Sequence, residues 1–250
     1  MNDILLEIKN AKVLSRGIQR FESLNFRWEA GEHWAIVGES GAGLTAFLET
    51  IRGNSVLSKG VINRPFAAHY LSEKNKAGEV HSFRDLIAYV SQKYEFTNRS
   101  HVQNFYFQQR FNSSESEETA TVREYLLEVD PKIAGPWDLV KVAKLLRLEG
   151  LLNKSLLKLS NGEARRLALA LGLMHQPKIY LMDQPMTGLD VKSRKEFGNI
   201  LKNITKNGVQ VLLTTSANEI PEGITHVAKV SKSGLEKTWT KEGYGLSIEE

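Results

Sequence analysis

The stretch GESGAGLT, Gly38 to Thr45, combines residue types suited to cradling a phosphate. Glycines at 38, 41 and 43, with Glu39, Ser40 and Ala42 between them, let the backbone wrap closely and point several N–H groups inward. The segment LTAFLETIRG that follows has helical spacing and stops at Gly53, so a helix N-terminus would add its positive end. Thr45 offers a hydroxyl of the kind that ligates Mg²⁺ in such loops. The strict loop carries lysine where this chain has Leu44, so a tight strand-to-helix turn is the competing reading.

Three further stretches bear on the same chemistry. LSNGE, 159–163, places Ser160, Asn161, Gly162 and Glu163 before the helical ARRLALALGL. Ser160 there can cap the helix or contact a phosphate, and alone it is an everyday N-cap. KIYLMDQP, 178–185, is an apolar strand ending in Asp183 and then Gln184. A carboxylate at that place can hold Mg²⁺, and a capping aspartate is the alternative. Gln92 follows a strand candidate, and TGLD closes the series at 187–190. Ser160 precedes Asp183 by enough residues for one helix and one buried strand.

These residues need a scaffold. HWAIVG, 33–38, is a short apolar strand ending at glycine, which makes the context strand, loop, helix. LLEIKNAKVL and LNFRWEAGE read as strands around a turn, and DLIAYVSQ, 85–92, as another strand. FNSSESEET, 111–119, reads as a mobile surface loop. Helical periodicity dominates from TVREYLLEV to GEARRLALALGLMHQ, marking a helical lobe. KIYLMD, VQVLLTT and THVAKVSK return to strands, separated by the helix VKSRKEFGNILKNI. The expectation is an α/β core with a mostly parallel sheet, interrupted by that lobe.

Composition narrows the class. The chain has 250 residues, 41% hydrophobic and 25% charged, with no cysteine, which excludes disulfides, thiolate metal sites and a cysteine nucleophile. Its histidines are scattered without ligand spacing. No apolar run reaches membrane-spanning length, and MNDILLEIKN lacks a signal-peptide block, so a cytoplasmic protein without direct membrane insertion is expected. The net charge of +4 is spread rather than gathered, which favours a solvated surface over a nucleic-acid track.

In this order the motifs resemble those of an ABC ATPase nucleotide-binding domain, over nearly the whole chain. GESGAGLT resembles the Walker A loop, Gln92 the Q-loop glutamine, and LSNGE the signature. YLMDQP resembles Walker B, TGLD the D-loop, and TTS, 214–216, the switch segment. The resemblance implies a P-loop NTPase core at 1–94 and 173–250 with an antiparallel β subdomain, and a helical lobe at 95–172. It implies ATP and Mg²⁺ as cofactors, with Thr45, Gln92 and Asp183 at the metal. It further implies a second ABC module as partner, in tandem, as a homodimer or as a heterodimer, and a membrane permease at the inner face. GEHWAIVGESGAG and NEIPEGITHV look most like the ModF/PhrA-type proteins, cytoplasmic tandem modules named for molybdate transport or photorepair. A soluble ATP-dependent regulator and a non-hydrolysing scaffold are the alternative functions.

Departures from the family pattern lie at the chemistry. Leu44 replaces the phosphate lysine, Gln184 stands at the general-base glutamate, and Ser216 at the switch histidine. No aromatic platform for adenine lies near Ser15, Phe21 being a weak substitute. A charged hydrogen bond is worth about 1.5–3 kcal/mol, so Leu44 implies roughly ten- to a hundredfold weaker phosphate binding. A positioned base contributes about 10²–10⁴ in rate, and an amide cannot accept the proton. This site is therefore expected to hydrolyse ATP very slowly, while Ser160 and Gly162 remain able to complete a partner's site.

Overall fold

The computed structural model describes residues 3–15, 17–76, 78, 80–93, 96–97, 104–105 and 120–249. In chain order the elements are β1 (Ile4–Ser15), β2 (Ile18–Glu29), β3 (Trp34–Val37), α1 (Leu44–Arg52), β4 (Val56–Asn63), α2 (Ala68–Lys76) and β5 (Ile87–Val90). Then come β6 (Phe96–Thr97), β7 (Asn104–Phe105), α3 (Val122–Leu127), α4 (Leu139–Leu145) and α5 (Asn161–Met174). The chain closes with β8 (Ile179–Met182), α6 (Val191–Lys206), β9 (Gln210–Thr214), β10 (His226–Ser231), β11 (Gly234–Thr240) and α7 (Lys241–Glu249). They fall into two units, Met1–Tyr89 with Lys178–Glu250, and Val90–Pro177.

The first unit holds two sheets. A six-stranded sheet runs β11-β10-β3-β9-β8-β5. Its pairs β10–β3, β3–β9 and β8–β9 are parallel, and β11 adds to β10 antiparallel. All four residues of β3 and of β8 are buried, as continuous apolar strands inside a parallel sheet should be. The second sheet, β2-β1-β4, is antiparallel, and its first two strands alternate buried and open positions along much of their length. This is an α/β fold, a mostly parallel sheet accompanied by an antiparallel one.

An aromatic cluster joins the sheets to α1. Phe26 packs edge-on against Trp34 of β3 at 5.2 Å and against Phe47 of α1 at 5.2 Å, and Phe21 meets Phe47 at 6.3 Å. Helix α1 buries Ala46, Phe47, Leu48 and Ile51 on one face and ends at Gly53, whose φ of 84° closes it in the left-handed region. The anchoring fixes where the helix begins, and so where the loop before it lies.

The strand expected from DLIAYVSQ starts only at Ile87. Phe83–Leu86 form a 3₁₀ turn, because Ser82 and Asp85 make a capping box in which the Asp85 carboxylate accepts from the Ser82 N–H at 2.9 Å. The expected loop FNSSESEET lies outside the described residues. In the second unit, β6 and β7 pair antiparallel, and the described helices begin at Val122. Buried Ala164, Leu167, Ala170 and Leu173 give α5 its packed face. Gln176, itself buried, donates to the Trp137 carbonyl at 2.6 Å and accepts from the Trp137 N–H at 2.9 Å.

Candidate functional site

The loop between β3 and α1 has a shape only its glycines allow. A side chain at Gly38 would come within 2.6 Å of the Val230 carbonyl. Gly41 and Gly43 have φ of 81° and 93°, the left-handed region, and Gly43 is the N-cap of α1 with no side-chain cap on the helix start. The Ala42 N–H closes a turn onto the Glu39 carbonyl at 3.0 Å. An uncapped helix end beside a glycine loop presents free N–H donors and a positive dipole end.

Beside this loop lies a cleft of about 840 Å³. Gly38 to Ser40, Gly41 and Gly43 to Ala46 form one wall, and Gln184, Met186, Thr187, Thr215, Ser216 and Glu219 form another. Ser15, Arg20, Glu49 and Asn54 complete it. Most of the loop, Gln184 and Ser216 are thus brought together as the motifs implied. Ala42 itself turns away and is buried.

Asp183 is not a helix cap. It is 4% exposed and each carboxylate oxygen has a hydroxyl partner. Thr45 Oγ1 donates to Oδ2 at 2.7 Å, and Thr214 Oγ1 donates to Oδ1 at 2.6 Å. Burial, with the Asp183 and Glu49 carboxylates nearby, pushes the Tyr89 phenol well above its ordinary range, so it stays protonated. The Gln184 N–H donates to Thr214 Oγ1 at 2.8 Å. Gln184 adopts φ of 46°, and its Oε1 accepts from Thr187 Oγ1 at 3.1 Å. Glu219 pairs with Arg194, and its N–H donates to the Ser216 carbonyl at 3.0 Å.

The residues fit a nucleotide triphosphate with its magnesium. The cleft is large enough, the glycine loop leaves donors free, and Thr45 with Asp183 supplies adjoining hard oxygens. Among the described residues no cluster of three histidine or carboxylate side chains forms a metal cage. A hydroxyl and one carboxylate suit Mg²⁺, which takes few protein ligands beside phosphate oxygens and water.

Phe21 is not a substitute platform for a base. It is fully buried, and its ring lies under Gly43, where an added Cβ would sit 3.1 Å from its Cζ. The ring belongs to the aromatic cluster because strand alternation turns it inward. Its neighbour Arg20 lines the cleft instead, a residue that sequence reasoning missed. Tyr89 and Glu49 were missed as well, Tyr89 lying just upstream of Gln92 with nothing in the strand pattern to mark it.

The remaining motif residues belong to the second unit. Gln92 follows β5 in a bend. Ser160 is the N-cap of α5: its Oγ accepts from the Glu163 N–H at 3.3 Å, and Glu163 Oε2 accepts from the Ser160 N–H at 2.7 Å. Lys154 donates to the same Oε2 at 2.7 Å, and that bond chiefly holds the Glu163 carboxyl below the usual range. A Cβ on Gly162 would meet nothing closer than 4.0 Å, so this exposed glycine has open space beside it.

A parallel sheet with a glycine loop at the end of buried β3, and a hydroxyl-bound aspartate at the end of β8, one strand away across β9, is the arrangement of a phosphate-binding α/β domain. A family model described as ABC transporter matches residues 21–187, and the chain belongs to that family. An uncharacterized ABC transporter ATP-binding protein of Schizosaccharomyces pombe is 28% identical over 96% of this chain and 48% of its own length. The spermidine/putrescine import ATP-binding protein PotA of Clostridium novyi is 28% identical over 86% of this chain and 56% of its own. The energy-coupling factor transporter ATP-binding protein EcfA2 of Streptococcus pyogenes is 30% identical over 74% of this chain and 61% of its own. The chain thus spans about half to three-fifths of the length of these relatives. Among solved structures, a dimeric ATP-binding cassette in a post-hydrolysis state bound to ADP and Pi superposes with a TM-score of 0.65. It is 21% identical, with 94% of this chain and 98% of the other covered. The cbiO1 protein of Clostridium perfringens, part of a transporter complex, gives 0.67 at 19% identity, covering 99% and 92%. No helix of the described residues is long and apolar enough to cross a membrane.

Proposed function

We propose that this chain is an ATP-binding module coupled to transport, whose own site binds Mg·ATP weakly and hydrolyses it very slowly. The observation that carries the binding half is the run Thr45–Asp183–Thr214 beside an uncapped glycine loop, in which Thr45 and the loop line the cleft and Asp183 stands one hydrogen bond behind Thr45. A nucleoside triphosphate bound there would stay largely uncleaved and act by occupying the site. The loop's N–H groups would hold its phosphates, and Thr45 and Asp183 its magnesium.

The impaired half rests on what lines the cleft. Leu44 brings no charge to the phosphates. Gln184 is an amide with its Oε1 already accepting from Thr187, and it cannot take the proton of an attacking water. Ser216 offers a hydroxyl where the family's switch segment has an imidazole. The signature segment keeps its serine and its second glycine by contrast, with Ser160 bonded as a cap and Gly162 open. A second module, in the same chain or as another subunit, would receive this signature across its own intact loop, and a membrane permease would couple the pair. The ModF/PhrA-type likeness of GEHWAIVGESGAG favours a small oxyanion such as molybdate as cargo.

Calorimetric titration of Mg·ATP tests the reading, with hydrolysis followed in parallel. The native chain is expected to bind weakly, and Leu44→Lys to bind roughly ten- to a hundredfold tighter through one charged hydrogen bond. Neither protein should turn over appreciably while Gln184 remains. Absence of binding by both proteins would remove the nucleotide site, and brisk turnover by the native chain would remove the impairment.

A further inference from the structure

A polyphosphate brings several negative charges, and the loop from Gly38 to Thr45 contains Glu39 but no lysine or arginine. Among the described residues lining the cleft, one is cationic, Arg20, against the carboxylates of Glu39, Glu49 and Glu219. Two of these acids have partners of their own: Glu49 lies 3.5 Å from Arg52, and Glu219 pairs with Arg194. Arg20 has no ion pair or hydrogen bond among the described residues. A guanidinium held at a cleft wall with no protein partner is a ligand-facing charge.

The scaffold explains its aim. Phe21 is anchored beneath Gly43, the residue at which α1 begins, so β2 passes close under the phosphate loop. The pairing with β1 shifts here, Val13 standing opposite Phe21 and Leu14 opposite Gln19, so Arg20 falls at an irregularity of the strand. With Phe21 turned into the core, Arg20 lines the same cleft as Gly41, Gly43 and Leu44. Its fork of donors suits phosphate oxygens better than an ammonium would.

We propose that Arg20 supplies the cation which the loop lacks, binding the polyphosphate of the nucleotide from β2 rather than from α1. The assignment rests on the nucleotide reading above and gives that site a charge source of its own. Arg20 is a binding residue here, with no part in proton transfer.

The test is calorimetric titration of the full chain with Mg·ATP, ADP and inorganic tripolyphosphate at several salt concentrations, for native, Arg20→Gln, Arg20→Lys and Leu44→Lys/Arg20→Gln proteins. Arg20→Gln should weaken Mg·ATP and tripolyphosphate binding by about tenfold and flatten the salt dependence, because one screened charge contact is gone. Arg20→Lys should keep most of the affinity. Placed on Leu44→Lys, Arg20→Gln should cost clearly less than it does alone, since two cations then serve one anion. A native chain that binds Mg·ATP while Arg20→Gln binds within twofold, with the same salt slope, overturns this assignment and leaves the nucleotide site standing. A native chain that binds neither Mg·ATP nor tripolyphosphate overturns both. Circular dichroism of Arg20→Gln checks that the fold is kept.

Discussion

Replacing Thr214 by valine isolates one hydroxyl at the centre of the site. Thr214 is fully buried, and valine has nearly its volume, so the exchange opens no cavity. The hydroxyl makes two bonds: it donates to Asp183 Oδ1 at 2.6 Å and accepts from the Gln184 N–H at 2.8 Å. Loss of a bond to a carboxylate costs about 1.5–3 kcal/mol, and a buried N–H left without a partner costs about 1–3 kcal/mol. One group carries both, so the two do not add, and a loss of about 2–4 kcal/mol is expected. At roughly 2–4 °C per kcal/mol for a chain of this size, the unfolding midpoint should fall by about 5–15 °C. Gln184 should also loosen, because its left-handed backbone is held from Thr214. Thr214→Ser keeps the hydroxyl and loses one methyl, a cost near 1 kcal/mol. Urea and thermal unfolding by circular dichroism of all three proteins measures the difference. A valine variant within about 0.5 kcal/mol of native, well below the unsatisfied-donor cost, would refute the network. So would a serine variant as unstable as the valine one.

Two further outcomes follow from other parts of the molecule. His33 titrates near 4, chiefly because it is buried and secondly because His226 is close, and its Nδ1 accepts from the Val211 N–H. The unfolded ring binds its proton near 6.5, so stability is full above that pH and is lost as pH falls from 6.5 through about 4. With discount for the ring's part exposure the loss is about 1–2 kcal/mol, and His33→Gln should flatten the dependence in urea titrations across that window. Ser160→Ala removes the cap of α5 and should cost about 1 kcal/mol. Its mark would be faster hydrogen exchange at the Glu163 amide, and unchanged exchange there would exclude the capping box.

What was legible in the sequence was what neighbouring residues decide among themselves. The loop from Gly38 to Gly43 is local chemistry, and so is the capping of α5 by Ser160 and Glu163, three residues apart. The buried strands β3 and β8 announced themselves as short unbroken apolar runs, and α6 by its period. Strand β4 was silent, because its residues are mostly exposed, Gly60 interrupts its apolar positions, and its place comes from pairing with β1. The late start of β5 was hidden for a different reason, a capping box between Ser82 and Asp85 that competes locally with the extended form.

The sequence by itself determined the class of this protein: ordered motifs at helix and strand ends select a phosphate-binding α/β domain, since glycine freedom and helix ends are properties of short segments. Tertiary structure alone decided which residues meet at the cleft and behind it. Thr45, Asp183 and Thr214 lie far apart along the chain and meet only because β3, β8 and β9 are parallel strands whose ends fall on one edge. Phe21 and Arg20 are adjacent and equally unmarked. Packing against Gly43 and Phe47 turns the first into the core, and the second, at a shift in the pairing of β2, lines the cleft.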